Sequence, residues 1–167
     1  MIGIRELGQD DWPRVWALLR DTFARGDTYT FDSSLDEATV RHIWVETPSA
    51  TFVACDEHGT LLGTYFIKPN QPGRGAHVSN CGYVVSAEAA GRGVATAMCE
   101  HSQAWAIARG YRAMQFNFVV STNERAVRLW QHLGFEIVGR LPGAFRHAQL
   151  GFVDAFVMYK TLYHPAP

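Results

Sequence analysis

The stretch from residue 83 to residue 109 constrains this chain most. A β-rich run ends in Tyr83-Val84-Val85, and after a short connection comes Ala90-Gly91-Arg92-Gly93-Val94-Ala95-Thr96. Val94, Ala97, Met98, Trp105 and Ala108 then recur as one apolar helix face. Gly110 closes the pattern, as a glycine just beyond a helix C-terminus does. Glycines 91 and 93 leave main-chain N–H groups unobstructed where the helix begins. The first N–H groups of a helix lack internal partners and its dipole is positive there, so the arrangement suits a phosphate group. The plainer alternative is a glycine pair that only tightens a strand-to-helix turn.

The flanking sequence supplies the remaining elements. Ile2 and Ile4 suggest a short opening strand. Asp10 and Asp11 precede Pro13 at the start of a helix whose apolar face is Trp12, Val15, Trp16, Leu19 and Phe23. Gly26-Asp27-Thr28 breaks it. Ser34 and Glu37 are spaced as a capping box for a second helix, which Pro48 closes. Runs 51–56 and 61–68 read as a hairpin around Glu57-His58-Gly59-Thr60, and 69–75 as an exposed loop. A third strand covers 77–85. After the glycine turn and its helix come a strand at 113–120 and a helix from Thr122-Asn123, with inner positions Ala126, Leu129, Trp130 and Leu133. Gly134 stops that helix, and strands at 135–140 and 152–162 close the chain. The order β-α-α-β-β-β-α-β-α-β-β predicts one mixed-sheet α/β domain over 1–163, with a short tail at 164–167.

Composition narrows the class. A chain of 167 residues, 47% of them hydrophobic, buries about two-thirds of its unfolded surface. Fifteen Lys+Arg against sixteen Asp+Glu give a formal charge of −1, which argues against a nucleic-acid surface and against disorder. Cys55, Cys81 and Cys99 form no C-x-x-C pair, and the seven histidines show no ligand spacing, so neither disulfides nor a metal site is expected. No apolar run approaches the ~20 residues of a membrane span. The N-terminus shows no basic segment followed by an apolar one, so a soluble cytoplasmic domain is expected.

Three phosphate-binding motifs compete at the glycine turn. A Walker loop ends in Gly-Lys-Ser/Thr, whereas Gly93 is followed by Val94-Ala95. A dinucleotide fingerprint wants Gly or Ala at position 96, which is Thr, and an acid at the end of the next strand, where Val119-Val120 stand. The remaining option is the diphosphate of coenzyme A, and it rests on a resemblance. Ala90-Gly91-Arg92-Gly93-Val94-Ala95 resembles the Gln/Arg-x-x-Gly-x-Gly/Ala signature of the GNAT N-acetyltransferases. Asn123-Glu124-Arg125-Ala126-Val127-Arg128-Leu129-Trp130-Gln131-His132-Leu133-Gly134-Phe135 resembles that family's Asn-x-x-Ala-x-x-Leu-Tyr-x-x-x-Gly-Phe stretch. The two motifs stand in the family's order, and Gly26-Asp27-Thr28-Tyr29 with the tail 152–159 is similar to its phosphinothricin-type and cyclic amino-acid branches.

The resemblance implies an N-acetyltransferase that moves the acetyl group of acetyl-CoA to a small, amino-acid-like amine by direct attack in a ternary complex. It implies coenzyme contacts from Tyr83, Val84, Val85, Gly91, Arg92, Gly93, Val94, Ala95, Thr96, Asn123 and Trp130, and a homodimer, as is common among related proteins. Two positions depart from the family pattern. Ala90 brings no polar side chain to the turn. The family's frequent Tyr acid falls at Trp130, whose indole donates a hydrogen bond but has no accessible pKa. A thiolate of pKa about 8.5 can leave and take its proton from water.

Asn117 is a single amide in the apolar run 114–120. It reads either as a core-edge residue tied to a neighbouring main-chain group or as a group that polarises or holds the acceptor. The resemblance to fungal cyclic amino-acid acetyltransferases implies the second. Asn123 reads as a helix N-cap, as a coenzyme contact, or as both. Tyr29 and Phe31 read as satellite packing or as part of an acceptor pocket. His77, Cys81 and Tyr83 are expected on one strand face, and Arg146 and His147 in a turn near the pocket. No Asp or Glu is assignable as general base. A non-catalytic acyl-CoA binding module and a protein N-terminal or lysine acetyltransferase stay open as alternatives.

Overall fold

Strand alternation sets the architecture, because the central strands carry apolar residues on both faces. The computed structural model describes residues 1–163; the expected tail at 164–167 lies outside them. The elements are β1 (Gly3–Glu6), α1 (Trp12–Arg25), α2 (Glu37–Arg41), β2 (Ala50–Cys55), β3 (Leu61–Pro69), β4 (Val78–Val85), α3 (Val94–Ala108), β5 (Ala113–Val120), α4 (Glu124–His132), β6 (Glu136–His147) and β7 (Gly151–Thr161). This is the order read from the sequence. The sheet runs β1-β2-β3-β4-β5-β7-β6, and every pair is antiparallel except β4–β5. Phe52, Tyr65, Ile67 and Cys81 pack on one face with Met98 of α3 and Trp130 of α4. Val53, Phe66 and Val84 pack on the other with Leu19 and Phe23 of α1 and with Trp44. Helices therefore cover both faces, and this central part of the sheet is enclosed. No helix among the described residues is long and apolar enough to cross a membrane.

Three local expectations change. The cap of α2 is Asp36, whose carboxylate accepts from the Thr39 N–H at 2.8 Å; the Ser34–Glu37 box does not form. Glu37 instead accepts the Trp12 indole N–H at 2.8 Å, a tertiary contact that sequence spacing does not encode. The buried residues of α3 are Val94, Met98, Cys99, Ser102 and Ala106, whereas Trp105 is half-buried and Ala108 exposed. Ser102 is tolerated inside because its hydroxyl bonds to the Cys99 carbonyl at 2.8 Å and to the Tyr83 hydroxyl at 2.7 Å. Finally, the strand expected to end at Arg140 runs on, as β6, through Pro142-Gly143 to His147. A proline is admissible in an edge strand. Asp154 of β7 spans the irregularity there, accepting from Arg140 Nε at 2.5 Å and from the Gly143 N–H at 2.8 Å.

Asp11 ties β1 to the start of α1. Its carboxylate is almost fully buried and accepts two bonds from Arg5 (2.6 and 2.9 Å), one from Arg14 (2.7 Å) and one from the Gly8 N–H (2.7 Å). The Arg5 guanidinium, with smaller help from Gly8 and Arg14, holds this carboxyl well below the usual carboxylate range. Such a group stabilises the fold fully above its unfolded pKa, about 3.9, and loses that contribution as pH falls toward its folded value. We expect Asp11→Asn to cost about 1–3 kcal/mol at pH 7. The gap from wild type should narrow as the pH falls below about 4, which urea melts at pH 7, 5 and 3 would measure.

Candidate active site

The site begins where β4 and β5 part. They are paired only at Val78–Ala113 and Ser79–Met114. At the next step the Asn80 side chain stands in for the missing rung, its Nδ2 donating to the Gln115 carbonyl at 3.0 Å. Beyond it β4 stays with β3 and β5 stays with β7, where the register shifts between Phe116 and Val119. The opening is a cavity of about 460 Å³ lined on its two walls by residues 80–85 and 116–120. Residues 28–31, Phe66 and Lys68 line one end, and Ala95, Asn123, Ala126 and Trp130 the other.

The main chain of β4 has donors and an acceptor to spare here. Val78 accepts from Asn70, and the Ser86 N–H donates to Leu62, so even-numbered residues face β3. By the alternation of an antiparallel ladder, Cys81, Tyr83 and Val85 turn their main-chain groups into the fork. The Tyr83 carbonyl is taken by the Tyr29 hydroxyl, which donates to it at 2.8 Å. Tyr29 is itself wedged among Phe23, Phe31 and Trp44. Tyr83 stacks obliquely on Trp130, whose ring is buried at 5.2 Å from both Tyr83 and Phe116. Burial pushes the Tyr29 and Tyr83 hydroxyls up and the Cys81 thiol up to about 12, so all three are neutral donors at pH 7.

The glycine turn adjoins this cavity through Ala95. Gly91 (φ +82°) and Gly93 (φ +80°) are both left-handed, a conformation that β-branched residues avoid, and Gly93 is the N-cap of α3. Among the described residues the N–H groups of Gly93, Val94, Ala95 and Thr96 have no acceptor; the first bond of the helix is from Ala97 to the Gly93 carbonyl at 3.0 Å. Four unpartnered donors at the positive end of a 15-residue helix fit a diphosphate. Arg92 is exposed beside them. Asn123 caps α4, its Oδ1 accepting from the Ala126 N–H at 3.4 Å, while the same residue lines the cavity.

Asn117 is neither buried nor alone. Its exposed amide donates to Asn70 Oδ1 at 2.7 Å and accepts from Gln115 Nε2 at 2.9 Å, at the irregular part of β5 and on the cavity wall. Phe31 and Cys81 also line the cavity, as Tyr29 does. His77 lies exposed one residue before β4, away from the cavity, at a separate shallow depression with Trp105 and Arg109. His147 ends β6 and accepts the Gln149 and Leu150 N–H groups at 3.1 and 3.2 Å, with exposed Arg146 beside it; neither lines the cavity. Asn80, Asn70, Arg25 and Lys68 escaped the sequence reading. Asn80 carried a usable signal, as a second amide in an apolar strand. Arg25 and Lys68 are the charged residues of the lining, which holds no Asp, Glu or His among the described residues.

Residues 12–135 match the acetyltransferase (GNAT) family, and the chain belongs to that family. A GCN5-related N-acetyltransferase from Kribbella flavida is 42% identical, with a TM-score of 0.92 over 96% of this chain and 97% of that one. The N-acetyltransferase aca1 of Schizosaccharomyces pombe is 33% identical over 66% of this chain, which spans 53% of the length of that protein. A phosphinothricin acetyltransferase from Sinorhizobium meliloti, solved in complex with AcCoA, shares the fold at 19% identity, with a TM-score of 0.84 over 96% of this chain and 88% of that one.

The Tyr29–Tyr83 bond is the tie between the α1–α2 loop and the fork. Tyr29→Phe leaves the Tyr83 carbonyl without its protein donor. We expect a loss of about 1–3 kcal/mol in urea unfolding, and an unchanged midpoint would show that the bond contributes nothing net.

Proposed function

We propose that this chain transfers the acetyl group of acetyl-CoA to the amine of a small, amino-acid-like acceptor within a ternary complex. The observation that carries this is the continuity between the free N–H groups at 93–96 and the forked cavity. Tyr83 and Val85 would meet the pantetheine amides with main-chain groups, Val84 supporting the strand from its buried face. The turn from Gly91 through Arg92, Gly93, Val94 and Ala95 to Thr96 would hold the diphosphate, with Asn123 and Trp130 alongside. Bound acetyl-CoA supplies an activated thioester; the chain supplies position and main-chain polarity. The solved AcCoA complex of the Sinorhizobium meliloti protein, which shares this fold, supports the coenzyme assignment.

The acceptor end favours a small molecule. The loop bearing Tyr29 and Phe31 is anchored over the fork, which leaves less of the open groove that a peptide needs. Lys68 and Arg25, the latter 3.9 Å from Asp27, which does not line the cavity, support an acceptor that carries a carboxylate, and Asn117 offers an amide to hold or polarise it. An amine of lysine type is protonated at pH 7, with a pKa about 10.4. Cationic surroundings favour its neutral form, and its proton then passes to water rather than to a side chain base. Trp130 is a packing residue at the coenzyme end and delivers no proton. The exposed apolar Ile137, Val138 and Leu141 of β6 and Phe152 of β7 support a homodimer, and three free buried cysteines suit a reducing cytoplasm.

The proposal stands or falls on acetyl-CoA binding and turnover with a panel of amino acids beside one peptide pool. Binding without turnover would favour the non-catalytic module, and turnover confined to peptides the protein acetyltransferase. Gly93→Val forces a β-branched residue into left-handed backbone at the donor cluster; we expect acetyl-CoA affinity to fall at least about tenfold by calorimetry with the fold retained. Asn117→Ala should lower kcat/KM for a small amino acid about tenfold to a hundredfold and leave acetyl-CoA affinity unchanged. The opposite pattern, a lower Tm with kcat/KM preserved, would remove Asn117 from the site.

A further inference from the structure

The glycine turn holds its donors but lacks a charge of its own to match them. A diphosphate is doubly anionic, whereas a helix N-terminus offers the equivalent of roughly half a positive charge. Ala90 contributes no polar group. Arg92 is exposed, and its side chain makes no hydrogen bond or ion pair among the described residues.

A second cation comes from α4. Arg125, in the first turn of that helix, reaches back across the turn: a β-carbon placed on Gly91 would stand 3.2 Å from its Nη2. Its neighbour Glu124 is engaged by Arg128 at 3.3 Å, four residues on. Arg125 itself has no carboxylate within 4 Å among the described residues. An exposed, unpaired guanidinium laid over main chain gains little there by itself, because it gives up hydration without an acceptor. Its planar fork is suited to bidentate contact with phosphate oxygens.

We infer that Arg125 is a coenzyme-binding residue, which completes the diphosphate site by pairing from α4 with the anion held at the N-terminus of α3. The inference rests on the acetyl-CoA reading above and adds a residue to it. A side chain at Gly91 would also crowd the guanidinium, whose Nη2 would stand 3.2 Å from its β-carbon. The donor site is then built by two helices on the same sheet face: α3 supplies neutral N–H groups and α4 the charge. Arg125 fixes affinity for the diphosphate and has no part in the acetyl transfer step.

The test compares wild type with Arg125→Ala and Arg125→Lys on three donors: acetyl-CoA, acetyl-3′-dephospho-CoA and S-acetylpantetheine, which lacks both phosphate groups. We expect Arg125→Ala to raise Kd for both nucleotide donors by the same factor, about tenfold to a hundredfold. Weak use of acetylpantetheine and the Tm should stay as in wild type, and the lysine variant should fall between. The salt dependence of acetyl-CoA binding should also flatten in Arg125→Ala. A loss seen with acetyl-CoA but absent with the dephospho donor would place Arg125 at the ribose phosphate and overturn the assignment. An equal loss with acetylpantetheine, or a lower Tm, would reduce Arg125 to a structural clamp and overturn it too. Wild type that binds no acetyl-CoA would instead sink the coenzyme reading itself, an outcome visible before any variant is made.

Discussion

The Asn80–Gln115 bond marks where the sheet stops being continuous, and the site depends on that break. Two parallel rungs hold β4 to β5, and one amide side chain then replaces the third. Past that point each strand keeps only its outer neighbour. Their facing main-chain edges would be a liability in an ordinary sheet, where unpaired polar groups inside a fold are costly. Here they become the walls of a cavity that an extended, amide-bearing ligand can bridge.

Enclosure by helices makes that break tolerable. Val84 and Phe66 are gripped on one face by α1 and Trp44, and Cys81 and Tyr65 on the other by α3 and its neighbours. The fork is held open by packing on both sides and not by strand pairing across it. Tyr29 and Trp130 illustrate the division. One caps the exposed carbonyl of β4 from the α1 side, and the other fills the space between Tyr83 and Phe116 from α4. Main-chain groups face the cavity along the inner edge of β4, and the first turn of α3 keeps its N–H groups free among the described residues.

Much of this was legible in the residues. The element order followed from helical and alternating periodicity, and the glycine turn from two glycines between a strand and a helix. What failed were side-chain partners. Ser34 and Glu37 have capping-box spacing, yet Asp36 caps α2 because Glu37 is drawn to the Trp12 indole 25 residues away. Asn117 read either as a core-edge residue tied to main chain or as an amide at the acceptor, and it does line the cavity, but its partners are side chains. It lies exposed at the irregular part of β5 and meets Asn70, 47 residues earlier in the chain. The strand expected at 135–140 runs on to His147, because an edge strand with Asp154 opposite accommodates Pro142 and Gly143. Each miss involves a contact between residues distant in sequence.

The sequence by itself determined the element order, the helix N-terminus with free donors and the membership of residues 83–135 in one motif pair. These rest on local rules: periodicity, glycine conformation and helix-end chemistry act within a few residues. Only the tertiary structure decided that β4 and β5 part after two rungs, that Tyr29 occupies the Tyr83 carbonyl and that Arg125 lies over Gly91. Those follow from which elements pack side by side, and packing is settled by volume and hydrogen-bond satisfaction across the whole chain, which no local pattern records.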